Sequence, residues 1–598
     1  MTMNMTMRMT RHVAHGILAV LTLAATTTRA ATINVSGGGS ALQTAIGNAN
    51  PGDILLVAPG TYSPITTDNK AITIESTGGA SVTLIDGGGA SRCATLGGDW
   101  DKVNTILTGF TLTNGWTTGY GGGSHGGTLN NCILTGNTAT GTYSYGGGSY
   151  GGTLTDCTLT GNTAAYRGGG AVNSILNNCT LTGNTATEDG GGSCYGTLTD
   201  CTLTGNTAWT GGGSYWGDLN NCTLTGNTAW TGGGSYDCTL TDCTLTGNTA
   251  DWNGGGSCYG TLNNCTLTGN TAYYYGGGSC YGTLTDCTLT GNTTYVGGGG
   301  SYEGTLNNCT LTGNTATHGG GSYGGTLNNC LLTGNTVDYR GGGSYYGTLN
   351  NCTLTGNTAG DGGGSFGGTL NNCTLANNTA AGGGGSFNGE LNNCIVWGNS
   401  LTGSGASTNH YNSTFSYSCT APLPSGSYDG GGNKEDDPLF VDAANGNYRL
   451  KPNSPCIDQG NQAYVTGDFD LDGNPRIWNG KVGMGAFEWT PTPIPMVYAL
   501  NFGAWLNHHG LGHSPENWGK WLTFPDPLSP HTRPTATIEM KQGVPFVSWT
   551  PDLRPFSLRT YTVEMTENLR GPWVLAPNDL STLPPAPARF FKVKVHLP

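Results

Sequence analysis

The sequence predicts an all-β chain wound as a right-handed parallel β-helix, with an N-terminal capping helix and a small β-sandwich-like module at the C-terminus. Three observations predict it. Thirteen cysteines, Cys132 to Cys394, recur every 21 or 22 residues after one first gap of 25, each opening a near-copy of CTLTGNTA. The unit, roughly GGGSYxGTLNNCTLTGNTA, is too short for a helix pair and has no apolar run at helical spacing. Gly, Asn and Ser, which disfavour helix and serve turns, dominate it together with Thr. A unit this small cannot bury its own apolar face, so like coils must stack. The expected coil has three short strands separated by turns, and its hand follows the general crossover preference.

In chain order, residues 1–30 read as an export signal. Arg8, Arg11 and His12 precede the apolar run Gly16 to Ala25, which is too short to span a bilayer, and Thr28-Arg29-Ala30 offers a cleavage site. No later apolar segment approaches membrane-spanning length, so no transmembrane segment is expected in the mature chain. Residues 31–400 form the helix proper. SALQTAIGNANPGD opens it with a short amphipathic helix in which Leu42, Ala45 and Ile46 share a face, stopped by Pro51-Gly52. An open β-helix end exposes unpaired backbone and core, so a cap there has a purpose.

Within each coil, Leu three residues before the ladder cysteine, the cysteine itself and Leu two residues after it are expected inside, as at Leu129, Cys132 and Leu134. The offset of three breaks strand alternation, so the NN or TD pair between them reads as a turn. Asn follows every ladder cysteine by five, from Asn137 to Asn399. Asn tolerates left-handed backbone, and stacked amides can bond along the axis. Twelve intervals at ~4.8 Å make this part of the rod about 58 Å long. The residue before the cysteine alternates between Asp and Asn from Asp156 to Asp286, which spaces like charges about 9.6 Å apart. Stacked ladder cysteines have parallel Cβ vectors and read as small buried thiols. The expected disulfide is Cys419–Cys456, outside the ladder, with Cys258–Cys280 as the next candidate.

Two stretches carry a family resemblance. LQTAI, PGD, VAPGTY and IDGGG resemble the N-terminal cap of pectin-lyase-like β-helix proteins, and GNTA…GGGS…CTL resembles polymorphic outer-membrane protein repeats. YSCTAPLPSG, NKEDDPLFVDAANGNYRLKPNSPCIDQGN, DFDLDGNPRI and VGMGAFEW resemble the terminal signature of choice-of-anchor Q domain proteins, with VGMGAFE standing where VDIGAYE is usual. The resemblance implies that residues 401–489 complete the β-helix, that the chain is exported to an extracellular site or to the bacterial cell surface or outer membrane, and that an anchoring device follows. Residues 490–598, with strand-like runs PFVSWT, RTYTVEM and RFFKVKV, would be that attachment or sorting module. They are too few for an autotransporter barrel.

Composition narrows the function. Between Val103 and Asn433 there is no lysine and only Arg167 and Arg340, against fourteen Asp and Glu, in a chain of net charge −14. Nucleic acid is thereby excluded as a partner, and anionic lipid is disfavoured. The acids Glu188, Asp189, Asp251, Glu303, Asp338, Asp361 and Glu390 are scattered one coil or more apart, and no catalytic constellation is named. Asp468, Asp470 and Asp472 before Gly473 have the first half of a calcium loop, although Asn479 stands where the closing Glu belongs. No other cofactor is expected.

Aromatics are the remaining signal. Tyr, Phe or Cys follows each GGGS (Tyr215, Tyr236, Tyr302, Phe366), and Trp209, Trp216, Trp230 and Trp252 crowd neighbouring coils. An inward column would be core stacking, and an outward one a strip suited to sugar rings or another protein. The leading expectation is an exported non-catalytic rod for adhesion or display. The alternatives are a polysaccharide lyase or glycoside hydrolase, and a glycan binder using the aromatic strip.

Overall fold

The computed structural model describes residues 30–97, 105–402 and 409–490, and the backbone of strands between 535 and 596. The expected signal segment lies outside the described residues, apart from Ala30. The chain is an all-β right-handed parallel β-helix. Among the described residues no helix is long and apolar enough to cross a membrane.

The two coils at residues 54–66 and 73–95 have the expected three strands, but from Ile106 onward each full coil has four. In one coil these are Thr197–Thr199, Thr202–Thr204, Thr207–Thr210 and Ser214–Tyr215, which belong to sheets I, II, III and IV. Every strand pairs in parallel with its equivalent in the next coil, Leu198 on Leu219 and Leu203 on Leu224. Strands of two or three residues are too short to show alternation, so TA and SY passed as turn in the sequence. Sheet I runs from Thr32–Val35 to Thr414–Ser416, and sheet II from Gly60–Tyr62 to Cys419–Thr420.

Side-chain direction follows from where the backbone turns left-handed. The residue before each ladder cysteine does so, as at Asn178 (φ 51°) and Asp200 (φ 55°), and Leu198, Cys201 and Leu203 then all point inward with at most 1% exposure. Across this turn each Asn donates to the Asp one coil earlier, Asn178 to Asp156 and Asn221 to Asp200, both at 2.6 Å. The Asp/Asn alternation thus pairs donors with acceptors as well as spacing charge.

The second turn corrects the reading of the Asn ladder. Its left-handed residue is the glycine before the Asn, Gly205 (φ 61°) ahead of Asn206. The Asn itself is fully buried. Asn206 Nδ2 donates to Leu181 O at 2.9 Å and to Asn227 Oδ1 at 3.0 Å, and its own Oδ1 accepts from the backbone and amide of Asn184. Every polar atom of the amide is used, which is what allows it to sit in a dry interior. The triple glycine between sheets III and IV is steric. A Cβ on Gly212 would fall 2.5 Å from the carbonyl oxygens of Gly233 and Thr228.

The ladder thiols are free and buried. Cys179 N–H donates to Cys201 Sγ at 3.4 Å, and Cys201 Sγ donates to Leu176 O at 3.5 Å, so the column is satisfied without oxidation. Cys258 and Cys280, outward on sheet IV with Cα atoms 4.7 Å apart, form a disulfide. Parallel stacking therefore does not forbid a bridge where the side chains have room to turn. Cys419 and Cys456, the expected pair, are both free and buried in one cluster, and Cys419 Sγ donates to Asp436 O at 3.2 Å.

At the N-terminus, α1 (Ala41–Asn48) buries Leu42 and Ile46, with Ala45 packed alongside. Lys70 Nζ donates to the carbonyls of Ile46 and Gly47, placing a cation at the helix C-terminus. At the other end, residues 401–489 add one coil, ending at Thr420, and then fold back as a strap over sheet II. Asn351 Nδ2 donates to Thr466 O and Phe469 O, Asn372 Nδ2 to Gly483 O, and Ala486 N to Thr374 Oγ1. In the tail, Thr535–Lys541 pairs antiparallel with Val544–Thr550, and Thr560–Thr566 pairs with Val574–Leu575 and Phe590–His596.

Candidate binding face

Sheet IV decides the direction of the aromatic column. Its first residue, the Ser of GGGS, is fully buried, so the next residue must face out. Tyr215 and Tyr236 stack at 5.6 Å and 10°, Tyr345 and Phe366 at 5.4 Å and 18°, and Phe366 and Phe387 at 5.0 Å and 12°. The column is half-buried and outward, and core stacking is excluded for it.

Three of the four tryptophans come together. Trp209, Trp230 and Trp252 extend sheet III and stack face to face, at 5.0 Å and 7° and then at 5.5 Å and 16°. Trp252 meets Tyr274 at 4.2 Å, and Tyr275 meets Tyr302 at 4.2 Å, so the sheet III and sheet IV columns merge into one band. Trp216 is not in that stack. It lies beyond sheet IV against Tyr195, at 6.2 Å and 78°. Sequence reasoning missed its companions Tyr195, Tyr259, Tyr281 and Tyr346. They occupy the x of GGGSYxGT, a position whose variability hid a column.

The two arginines between Val103 and Asn433 both serve this band. Arg167 Nε pairs with Asp189 at 2.6 Å, its guanidinium lies over Tyr166 at 4.8 Å, and Nη1 donates to Tyr195 Oη. Arg340 pairs with Asp361 at 3.8 Å and lies over Phe366 at 4.9 Å. Burial pushes the phenols of Tyr215 and Tyr302 up, so they remain neutral donors.

Asp189 and Asp361 are taken by the arginines, and among the described residues no three His, Cys, Asp or Glu converge as a metal site. The expected calcium carboxylates part company. Asp470 is buried and accepts from the backbone of Asp472, Asn474 and Glu488. Asp472 is held by Arg449 at 2.5 and 2.6 Å. Asp468 alone faces an open cleft of about 290 Å³ that it lines with Asn329, Asn351 and Phe469. The Asp-rich loop is a self-bonded turn clamped by an arginine.

Glu488 has the most displaced carboxyl. Burial pushes it up to about 7 against the pull of Arg476, 2.9 Å away. It also accepts twice from Gly483 N–H, at 2.8 and 3.0 Å. Closed beneath the strap, it is a fastening and not an acid poised for catalysis.

No family model matches the chain, and the search of curated proteins found no match. Among solved structures it is similar to pectate lyase Pel9A, at 13% identity over 77% of this chain and 96% of that chain, with a TM-score of 0.19. It is also similar to tailspike gp49 of Acinetobacter baumannii bacteriophage Fri1, a capsular polysaccharide depolymerase, at 12% identity over 56% of this chain and 58% of that chain, with a TM-score of 0.20. A PL6 alginate lyase in complex with a trisaccharide matches at 11% identity over 66% of this chain and 86% of that chain, with a TM-score of 0.21. Similarity this low says nothing of activity. On its own geometry the chain is a right-handed parallel β-helix with one aromatic face.

Proposed function

We propose that the chain is an exported, non-catalytic surface rod that binds polysaccharide along its aromatic face. The observation that carries this reading is the outward direction of the sheet IV column. It joins the Trp209–Trp252 stack into a continuous outward-facing aromatic band that is partly exposed, and a contiguous patch of this kind marks an interaction surface. The acids near it are single or already paired with arginine, which supports binding without turnover. Export and anchoring rest on the N-terminal segment and on the resemblance of residues 401–489 to choice-of-anchor Q domain proteins.

The test is incubation of purified protein with a panel of pectins, alginates and neutral glucans, followed by measurement of retention and of new reducing or unsaturated ends. Retention without chain cleavage is the expected result. Depolymerisation of any member would replace this reading with the enzyme, and no retention at all would leave a rod without this ligand class.

A further inference from the structure

The outward position of sheet IV is an aromatic at Tyr215 and Tyr345 and a cysteine at Cys194, Cys258 and Cys280. The residue after it begins the turn into sheet I, and its backbone is left-handed. Glycine holds the position at Gly151 (φ 67°), Gly324 (φ 64°) and Gly367 (φ 65°). An aromatic side chain holds it at Tyr195, Trp216, Tyr259, Tyr281 and Tyr346, with φ between 51° and 58°. A bulky residue in this region is strained where glycine is not, and glycine demonstrably makes the same turn in this rod. The rings pack only in part, Tyr259 on Tyr281 and Tyr195 against Arg167, and all five remain 37 to 57% exposed. Strain held at rings this exposed points to a role outside the fold.

Ring orientation sets four of these five rings apart from the sheet IV ladder. Tyr195 is turned 81° from Tyr215, Tyr259 64° from Tyr236, Tyr281 88° from Tyr302 and Tyr346 82° from Tyr345. Tyr259 and Tyr281 stack on each other at 5.1 Å and 12°, and Trp216 alone lies near the plane of its ladder neighbour, 22° from Tyr215. Coils repeat every ~4.8 Å along the axis, close to the ring-to-ring advance of an extended pyranose chain. The charge on the line is acidic. Asp237 and Glu303 occupy the same left-handed position, and Arg167 and Arg340 are committed to Asp189 and Asp361. No lysine lies between Val103 and Asn433 to receive a uronate.

We propose that Tyr195, Trp216, Tyr259, Tyr281 and Tyr346 form the contact line for an uncharged polysaccharide lying along the rod axis. This rests on the binding function proposed above and names its ligand class. The apolar C–H face of a neutral pyranose fits an aromatic ring, whereas a polyuronate meets the carboxylates of Asp237 and Glu303 and, at Arg167 and Arg340, cations already paired with acids.

The experiment is affinity electrophoresis in gels containing hydroxyethylcellulose or polygalacturonate, with a chelator present to remove calcium bridges. It compares the full chain with the Tyr259→Gly/Tyr281→Gly variant, and thermal unfolding is recorded for both. The expected result is retardation of the full chain by hydroxyethylcellulose alone, weakened at least tenfold in the variant, whose unfolding midpoint is equal or higher because glycine relieves the backbone. Equal retardation of the variant would overturn the proposal, as would a lowered midpoint, which would make the rings structural. Retardation by polygalacturonate and not by the neutral polymer would overturn the ligand class while leaving polysaccharide binding intact. Failure of both polymers to retard the full chain would remove the binding function itself.

Discussion

The bare rod and the strapped end hold the same turn in different ways. Between Asp156 and Asn308 the turn residue before each cysteine bonds its own equivalent one coil away, as Asn264 does to Asp242 at 2.6 Å. From Asn351 onward the strap takes over, the amides of Asn351, Asn372 and Asn393 donating to Thr466, Gly483 and Asn461, with Asn393 keeping a long ladder bond to Asn372 at 3.4 Å. The handover leaves Asn329 Oδ1 and Asn351 Oδ1 buried without a donor. Repetition stabilises the rod through many equal, neutral contacts. The strap is fixed by a few unequal ones that include buried charge. Damage to a repeat should therefore spread along the axis, while damage to the strap should stay local.

The largest effect that would break this contrast is in the buried amide column. Asn248→Leu strands the backbone N–H of Asn227, removes one of the two acceptors of its amide, which keeps Leu203 O, and takes the side-chain donor from the carbonyl of Leu224. We expect a loss of roughly 4 to 6 kcal/mol in denaturant unfolding, with hydrogen exchange rising in the coils on both sides. A loss below ~1 kcal/mol would mean that the ladder is decoration.

Next in size is Arg476→Met. Removing one partner of the fully buried Arg476–Glu488 pair leaves an uncompensated carboxylate, at a cost of about 3 to 5 kcal/mol to the strap. Exchange should rise in residues 451–490 while coils 132–330 keep their protection. The double change Arg476→Met/Glu488→Leu should recover most of the loss, and a rod that unfolds with the strap would erase the distinction drawn here.

The same pair sets a pH dependence. Burial raises the folded-state Glu488 carboxyl from 4.5 to about 7. An acid raised on folding binds more protons in the native state, so its contribution is full below pH ~4.5 and is lost as pH rises through ~7. Strap protection should thus fall from pH 5 to pH 8 by an amount on the order of 3 kcal/mol, and Glu488→Gln should flatten the profile. A profile that rises with pH would contradict the assignment.

The smallest effect sharpens the comparison at the junction. Ser418 takes the seat of the ladder cysteine, accepting from Cys394 N–H at 2.9 Å. Cys419 therefore lies in register with Ile395 on the outer side of sheet II, facing Cys456 of the strap. We expect a disulfide donor such as oxidised glutathione to link the two, adding ~2 kcal/mol to strap stability. Peptide mapping of alkylated protein checks it, and alkylation of both thiols after exposure to the donor would refute the link.

Much of this was legible in the chain. The inward Leu–Cys–Leu set, the Asn ladder and the NN turn follow from spacing alone, because a one-residue change in any of them would put a polar group inside or an apolar one out. The four-strand coil was not legible, since Ser-Tyr and Thr-Ala are too short to show a period. Nor was the direction of the Tyr215 column, because three glycines before it carry no side chain from which alternation could be counted. Trp209, Trp230 and Trp252 were readable as neighbours but not as a stack that uses up its own faces.

The amino-acid sequence by itself determined that like coils stack in register, because each repeat is too small to bury its apolar side chains except against a copy of itself. Only the tertiary structure decided what lies on the outside. Which rings face solvent, which carboxylates an arginine or a backbone amide already claims, and where the strap lands all depend on contacts between residues a hundred positions apart, and no local pattern encodes a partner that distant.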